Sequence, residues 1–140
     1  MAIRVPPVLP IPPQFAEGIL AAMDPVLPAL QQQDELTLFC SWLATRMDLP
    51  TSVIVEIGSH RGGTIELWAR LCRQAMIAID LPDGVGGGQS VEIMAARNAD
   101  LTRRFPHYHG IAGDSHAKST VDALELYLDH RPIDLLFIDG

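Results

Sequence analysis

The sequence lacks the marks of several large functional classes. Its 140 residues hold 10 Lys and Arg against 17 Asp and Glu, a formal net charge of −7, with a pI near 5.0. No basic run or stripe breaks that balance, so a nucleic-acid surface is not expected. Acidity of this size favours solubility. Only two cysteines occur, Cys40 and Cys72, with no CxxC and no Cys/His spacing of a zinc site. Both fall on apolar faces of expected helices, which reads as buried, reduced thiols in a cytoplasmic protein. No apolar run approaches the roughly 18 residues of a membrane span. The N-terminal "MAIRVPPVLPIPPQF" is apolar, but Pro6, Pro7, Pro10, Pro12 and Pro13 interrupt it. It is therefore no signal-peptide core. An extended arm is expected, lying on the domain or on a partner subunit of a homo-oligomer. No internal repeat is visible, and no GxxxxGK[ST] phosphate loop exists.

What is present is enough apolar material for one core: 48% hydrophobic against 19% charged residues. Phe15–Leu30 reads as a weak helical zone broken by Pro25 and Pro28. Gln31–Met47 reads as a helix with Leu36, Phe39, Cys40, Leu43 and Met47 on one stripe, ended by Pro50. From there the pattern alternates. Ser52–Ile57, Ala75–Asp80, His107–Ala112 and Ile133–Asp139 read as strands. Between them, helices are expected at Thr64–Arg73, Val91–Phe105 and Ser119–Leu128, with Val91, Met94, Ala95, Leu101, Phe105, Val121, Leu124 and Leu128 among the inward residues. "PDGVGGGQS" at 82–90 reads as a glycine-rich loop. Such alternation predicts an α/β fold, a doubly wound, Rossmann-like parallel sheet with right-handed crossovers. Residues 1–50 form the arm and helical extension, and 51–140 the sheet domain.

Ligands of such sheets bind beyond the carboxyl ends of the strands. An acid stands at or just past each of those ends: Glu56, Asp80, Asp114 and Asp139. The first strand runs into "VIVEIGSHRGGT". A dinucleotide loop of the form GxGxxG wants glycine where His60 stands, because the backbone must approach a pyrophosphate there. Glu56 would add like charge beside that pyrophosphate. A cationic ligand reverses the second objection. A ribose-bearing ligand also wants an acid roughly 20 residues past the first glycine, and Asp80 lies 22 residues beyond Gly58.

Taken in order, "VEIGSHRGGT", "AIDL", "GDS" and "DLLFIDG" resemble the class I S-adenosylmethionine-dependent methyltransferases. The branch most similar is that of the cephalosporin-hydroxylase-like and sugar or macrolide O-methyltransferases, with catechol O-methyltransferase-like enzymes more distant. The resemblance covers roughly residues 50–140. It implies S-adenosylmethionine as cofactor, held by Glu56, Gly58, Ser59, His60, Gly62, Gly63, Asp80, Asp114 and Ser115. Glu56 would hold the ammonium end, directly or by ordering the loop, and Asp80 the ribose diol. Asp114 and Ser115 would border the adenine, though either would equally serve as a helix cap. The resemblance further implies Asp139 as a ligand to Mg²⁺, aiding methyl transfer to a small hydroxylated metabolite or sugar. His60 and His116 are the candidate general bases, and no catalytic residue is assigned. Seven strands are usual in that family and four are visible, so a fragment or a chain completed by a partner is expected. Two rival readings remain open: a noncatalytic α/β module that keeps the fold, and an NAD-dependent enzyme.

Overall fold

A computed structural model describes residues 32–82 and 89–139. The expected helical zone 15–30 and the glycines at 84–88 lie outside the described residues, as does the N-terminal arm. The elements alternate as α1 (Gln33–Ala44), β1 (Val53–Ile57), α2 (Gly63–Leu71), β2 (Ala75–Asp80), α3 (Val91–Arg104), β3 (Tyr108–Ala112), α4 (Lys118–Leu128) and β4 (Leu135–Ile138). The four strands form one parallel sheet in the order β3-β2-β1-β4. This is a Rossmann-like α/β fold.

The order carries a functional consequence. The chain steps outward from β1 to β2 to β3, then returns to place β4 on the other side of β1. The switch point lies between β1 and β4, the place where, in sheets of this kind, the loops leaving the strands diverge and ligands bind. Alternation along the strands separates two cores. On one face Ile54, Met76, Ala78 and Tyr108 pack against Leu36, Cys40 and Leu43 of α1, Trp68 and its neighbours in α2, and Leu101 of α3. On the other, Val55, Ile77, Ile79 and Ile111 pack against Ala123, Leu124, Tyr127 and Leu128 of α4. Both cysteines are buried free thiols. Burial alone pushes Cys40 up to about 11, and is the main cause that takes Cys72 to about 12.

Several sequence expectations shift. The first helix stops at Ala44, well before Pro50, which lies in a 3-10 turn at Leu49–Thr51. The Thr45 hydroxyl donates to the Trp42 carbonyl at 2.6 Å, and the amides of Arg46 and Met47 both turn back to Leu43 O. The helix is thus closed locally before the proline is reached. Met47 still packs on the core from beyond the helix. In α3 the expected inward residues Val91 and Ala95 are exposed, and the buried line is Met94, Arg97 and Leu101. Val121 of α4 is likewise exposed, and Ala123 and Tyr127 pack in its stead. In both helices the true face includes residues that a hydrophobicity pattern does not single out. No helix among the described residues is long and apolar enough to cross a membrane.

Candidate functional site

β1 is β-branched at every position but Glu56 and ends in a loop that glycine turns cheaply. Gly58 and Gly62 have φ of 84° and 86°, and His60 between them has φ of 41°. The Gly58 amide still donates across the sheet to Ile79 O at 2.9 Å, and the Gly62 amide closes the turn on Ser59 O at 2.7 Å. Left-handed Gly62 caps α2, whose first residue is Gly63. No side chain caps that helix start, so its first amides point outward at the sheet's carboxyl end. The loop therefore holds Gly58, Ser59, His60, Gly62 and Gly63 in one tight turn beside the switch point.

Glu56 does not stand on the rim with the other strand-end acids. It points to the face covered by α2, fully buried at 0% exposure, and its Oε1 accepts from Thr64 Oγ1 at 2.7 Å. Its Oε2 has no hydrogen-bond partner among the described residues. Burial is the main cause that pushes Glu56 up to about 8. The Thr64 hydroxyl opposes the rise, the Asp139 carboxylate adds to it, and Trp68 and Arg97 oppose it. At neutral pH Glu56 is mostly protonated. The like-charge objection to a phosphate at this loop therefore loses most of its force, and Glu56 stands as a group that orders the start of α2.

Asp80 ends β2 with 8% exposure. Its Oδ2 accepts from Arg97 Nη1 at 3.3 Å. The same Nη1 donates to the His60 carbonyl at 2.5 Å, while Arg97 Nε and Nη2 donate to Asn98 Oδ1 at 3.2 and 3.1 Å. Arg97 thus ties the glycine loop to the end of β2. A β-carbon on Gly62 would lie 2.9 Å from Arg97 Cδ. The space that Gly62 leaves is taken by the arginine stem. Arg97 is the residue that reading the sequence missed. An arginine on an amphipathic helix ordinarily reads as solvated, and only the i, i+3, i+7 spacing of Met94, Arg97 and Leu101 hinted otherwise.

The loop also carries unmatched hydrogen-bonding capacity. Ser59 Oγ and His60 Nδ1 are sealed from solvent with no partner among the described residues. His60 Nε2 reaches Gln89 Nε2, at the approach to α3, at 3.4 Å. Asp114 and Ser115 sit apart from this cluster, just beyond β3. Asp114 Oδ1 accepts from the His116 amide at 2.9 Å and meets His116 Nδ1 at 3.2 Å. Those bonds hold Asp114 below the usual carboxylate range. Its carboxylate is turned back onto its own turn, the behaviour of a residue leading into a helix. The Gly113 amide donates to Asp80 O at 2.9 Å, which keeps this turn beside the end of β2.

Asp139 follows β4 at the switch point, its amide donating to Ile57 O at 2.9 Å. It is exposed. Among the described residues no group of three His, Cys, Asp or Glu side chains could hold a metal ion. One carboxylate does not make a magnesium centre, so the described residues do not fit the metal.

Together these features define a parallel α/β domain with a glycine loop, a buried acid at the end of β2 and a buried arginine that links the two. No family model matches the chain, and no curated protein or solved structure matches it either.

Proposed function

We propose that this chain is the cofactor-binding domain of an S-adenosylmethionine-dependent methyltransferase acting on a hydroxyl of a small metabolite or sugar. The observation that carries the reading is His60. In a dinucleotide loop its position needs bare backbone for the pyrophosphate. Here it bears an imidazole that extends from the loop to Gln89. A nucleoside ligand without a pyrophosphate suits that arrangement, and Asp80 stands where a ribose diol is held. The sealed Ser59 Oγ and His60 Nδ1 offer hydrogen bonds to the polar end of such a ligand. Bound there, the cofactor supplies an electrophilic methyl group on a sulfonium.

The protein's part in that chemistry is positioning. Asp80 accepts from the ribose hydroxyls, and the glycine turn brings backbone amides close to the ligand. Glu56 keeps the turn in register through Thr64.

A second reading has its own support. With Glu56 protonated and the Arg97 guanidinium beside the loop, the electrostatics no longer oppose a nucleotide phosphate. Titration calorimetry with S-adenosylhomocysteine and with NAD separates the two. Binding of the first without the second is the expected result. Binding of NAD alone overturns the proposal, and binding of neither points to a noncatalytic module.

A further inference from the structure

We infer that Arg97 is a positioning residue of the ligand site, holding the Asp80 carboxylate and the glycine loop at a set separation so that a ribose cis-diol meets Asp80. The inference rests on the nucleoside-cofactor reading and names the residue on which that site depends.

The network is built from four parts of the fold. Arg97 comes from α3, Asp80 from β2, the His60 carbonyl from the loop after β1, and Tyr108 from β3. Nη1 bridges His60 O and Asp80 Oδ2. The other side of the guanidinium is anchored on Asn98 Oδ1, which also accepts from Tyr108 Oη at 2.8 Å. A guanidinium that merely neutralised Asp80 would need neither the loop carbonyl nor the Asn98 anchor. Two glycines leave space for this one network. A β-carbon on Gly62 would press on the Arg97 stem, and one on Gly110 would lie 2.5 Å from Asn98 Nδ2 and 2.8 Å from Tyr108 Oη.

The bond to Asp80 is long for a charge-assisted pair. An ionised carboxylate has about four lone-pair sites, so Asp80 keeps acceptor capacity for two hydroxyls while Arg97 fixes its rotamer. Arg97 is 7% exposed, beneath the site rather than in it. Its effect on a ligand therefore runs through Asp80 and the loop.

The test is a double-mutant cycle read by calorimetry with S-adenosylhomocysteine, with thermal unfolding recorded for each variant. Arg97→Lys keeps the charge but loses the fork, and is expected to weaken binding about tenfold. Asp80→Asn should weaken it by a similar or larger factor. The double variant should lose less on top of Asp80→Asn than Arg97→Lys loses alone, because the arginine acts in large part through the acid. Should Arg97→Lys fail to fold, Asn98→Ser frees one side of the guanidinium from its anchor and is expected to weaken binding severalfold. Unchanged affinity in a folded Arg97→Lys or Asn98→Ser overturns the inference while leaving the cofactor reading intact. So does a full additional loss on top of Asp80→Asn. A wild-type protein that does not bind S-adenosylhomocysteine removes the cofactor reading and this inference with it.

Discussion

Thr64 Oγ1 donates to Glu56 Oε1 at 2.7 Å beneath the glycine loop. A strand-end acid and the first turn of the following helix are thereby locked together. The bond is short, local and sealed from water, so it should govern both the stability of the loop and the ionisation of Glu56.

The first prediction concerns pH. Glu56 is raised from its ordinary 4.5 to about 8 in the folded protein. Between those values the native state holds a proton that the unfolded chain has released. Stability from this group is therefore complete below about pH 4.5 and is lost as pH rises through about 8. The slope approaches 1.4 kcal/mol per pH unit, about the most that one proton can give. Burial lowers the ordinary value of His109, which gives a slope of opposite sign on the acid side. The informative quantity is thus the difference between wild type and Glu56→Gln. Urea unfolding from pH 5 to 9 should show Glu56→Gln gaining on the wild type as pH rises. Parallel curves would show that Glu56 is ionised in the fold.

Thr64→Val tests the other partner. The substitution keeps the shape and removes the hydroxyl. Glu56 Oε1 then loses its donor, at a cost of about 1–3 kcal/mol. Because that hydroxyl opposes the rise in the Glu56 value, its loss should move the Glu56 titration further above 8. Carboxyl-carbon NMR of the variant reads this shift directly, and an unmoved titration would place the stabilisation elsewhere.

Gly62→Ala strains the loop twice. The new residue must hold φ near 86° and its β-carbon meets Arg97 Cδ at 2.9 Å. A positive φ costs a non-glycine residue about 1–3 kcal/mol, and displacing the arginine stem disturbs the Asp80 pair as well. Chemical denaturation should show a loss at or above the upper end of that range. A loss below about 0.5 kcal/mol would mean the stem moves aside freely.

The fold was legible because its strands are short apolar runs and its helices are amphipathic. Ala75–Asp80 is the strand expected, residue for residue. The order of strands follows from right-handed crossovers and one reversal. The boundary at residue 50 is less clean in space than in the sequence. Leu36, Cys40 and Leu43 share one core with Trp68, and Phe39 meets both Trp68 and Phe137 at ring separations of 6.0 Å. The candidate site was legible in its backbone, the tight turn around Gly58 and Gly62 and the placing of Asp80 at the end of β2. It was illegible where a role depends on a partner distant in the chain. Arg97 lies 17 residues from Asp80 and 37 from His60, and its local spacing hints at burial but not at those partners. The direction in which Glu56 points was equally hidden. Strand alternation sets it, and the partner that fixes it is a threonine of the next helix.

The last prediction concerns the far edge of β4. That strand pairs with β1 on one side and with no other strand among the described residues. Its two outward-alternating residues, Leu136 and Ile138, are 49% and 64% exposed. The register sets them beside Val55 and Ile57, on the α4 side of the sheet. Leu135–Ile138 contains no charge or proline, the usual guards of an exposed edge. The 140-residue chain should therefore associate as its concentration rises. Ile138→Lys places a charge on the exposed strand and should shift sedimentation toward the monomer with little change in unfolding midpoint. Association that is indifferent to this substitution would show that the contact lies on another surface.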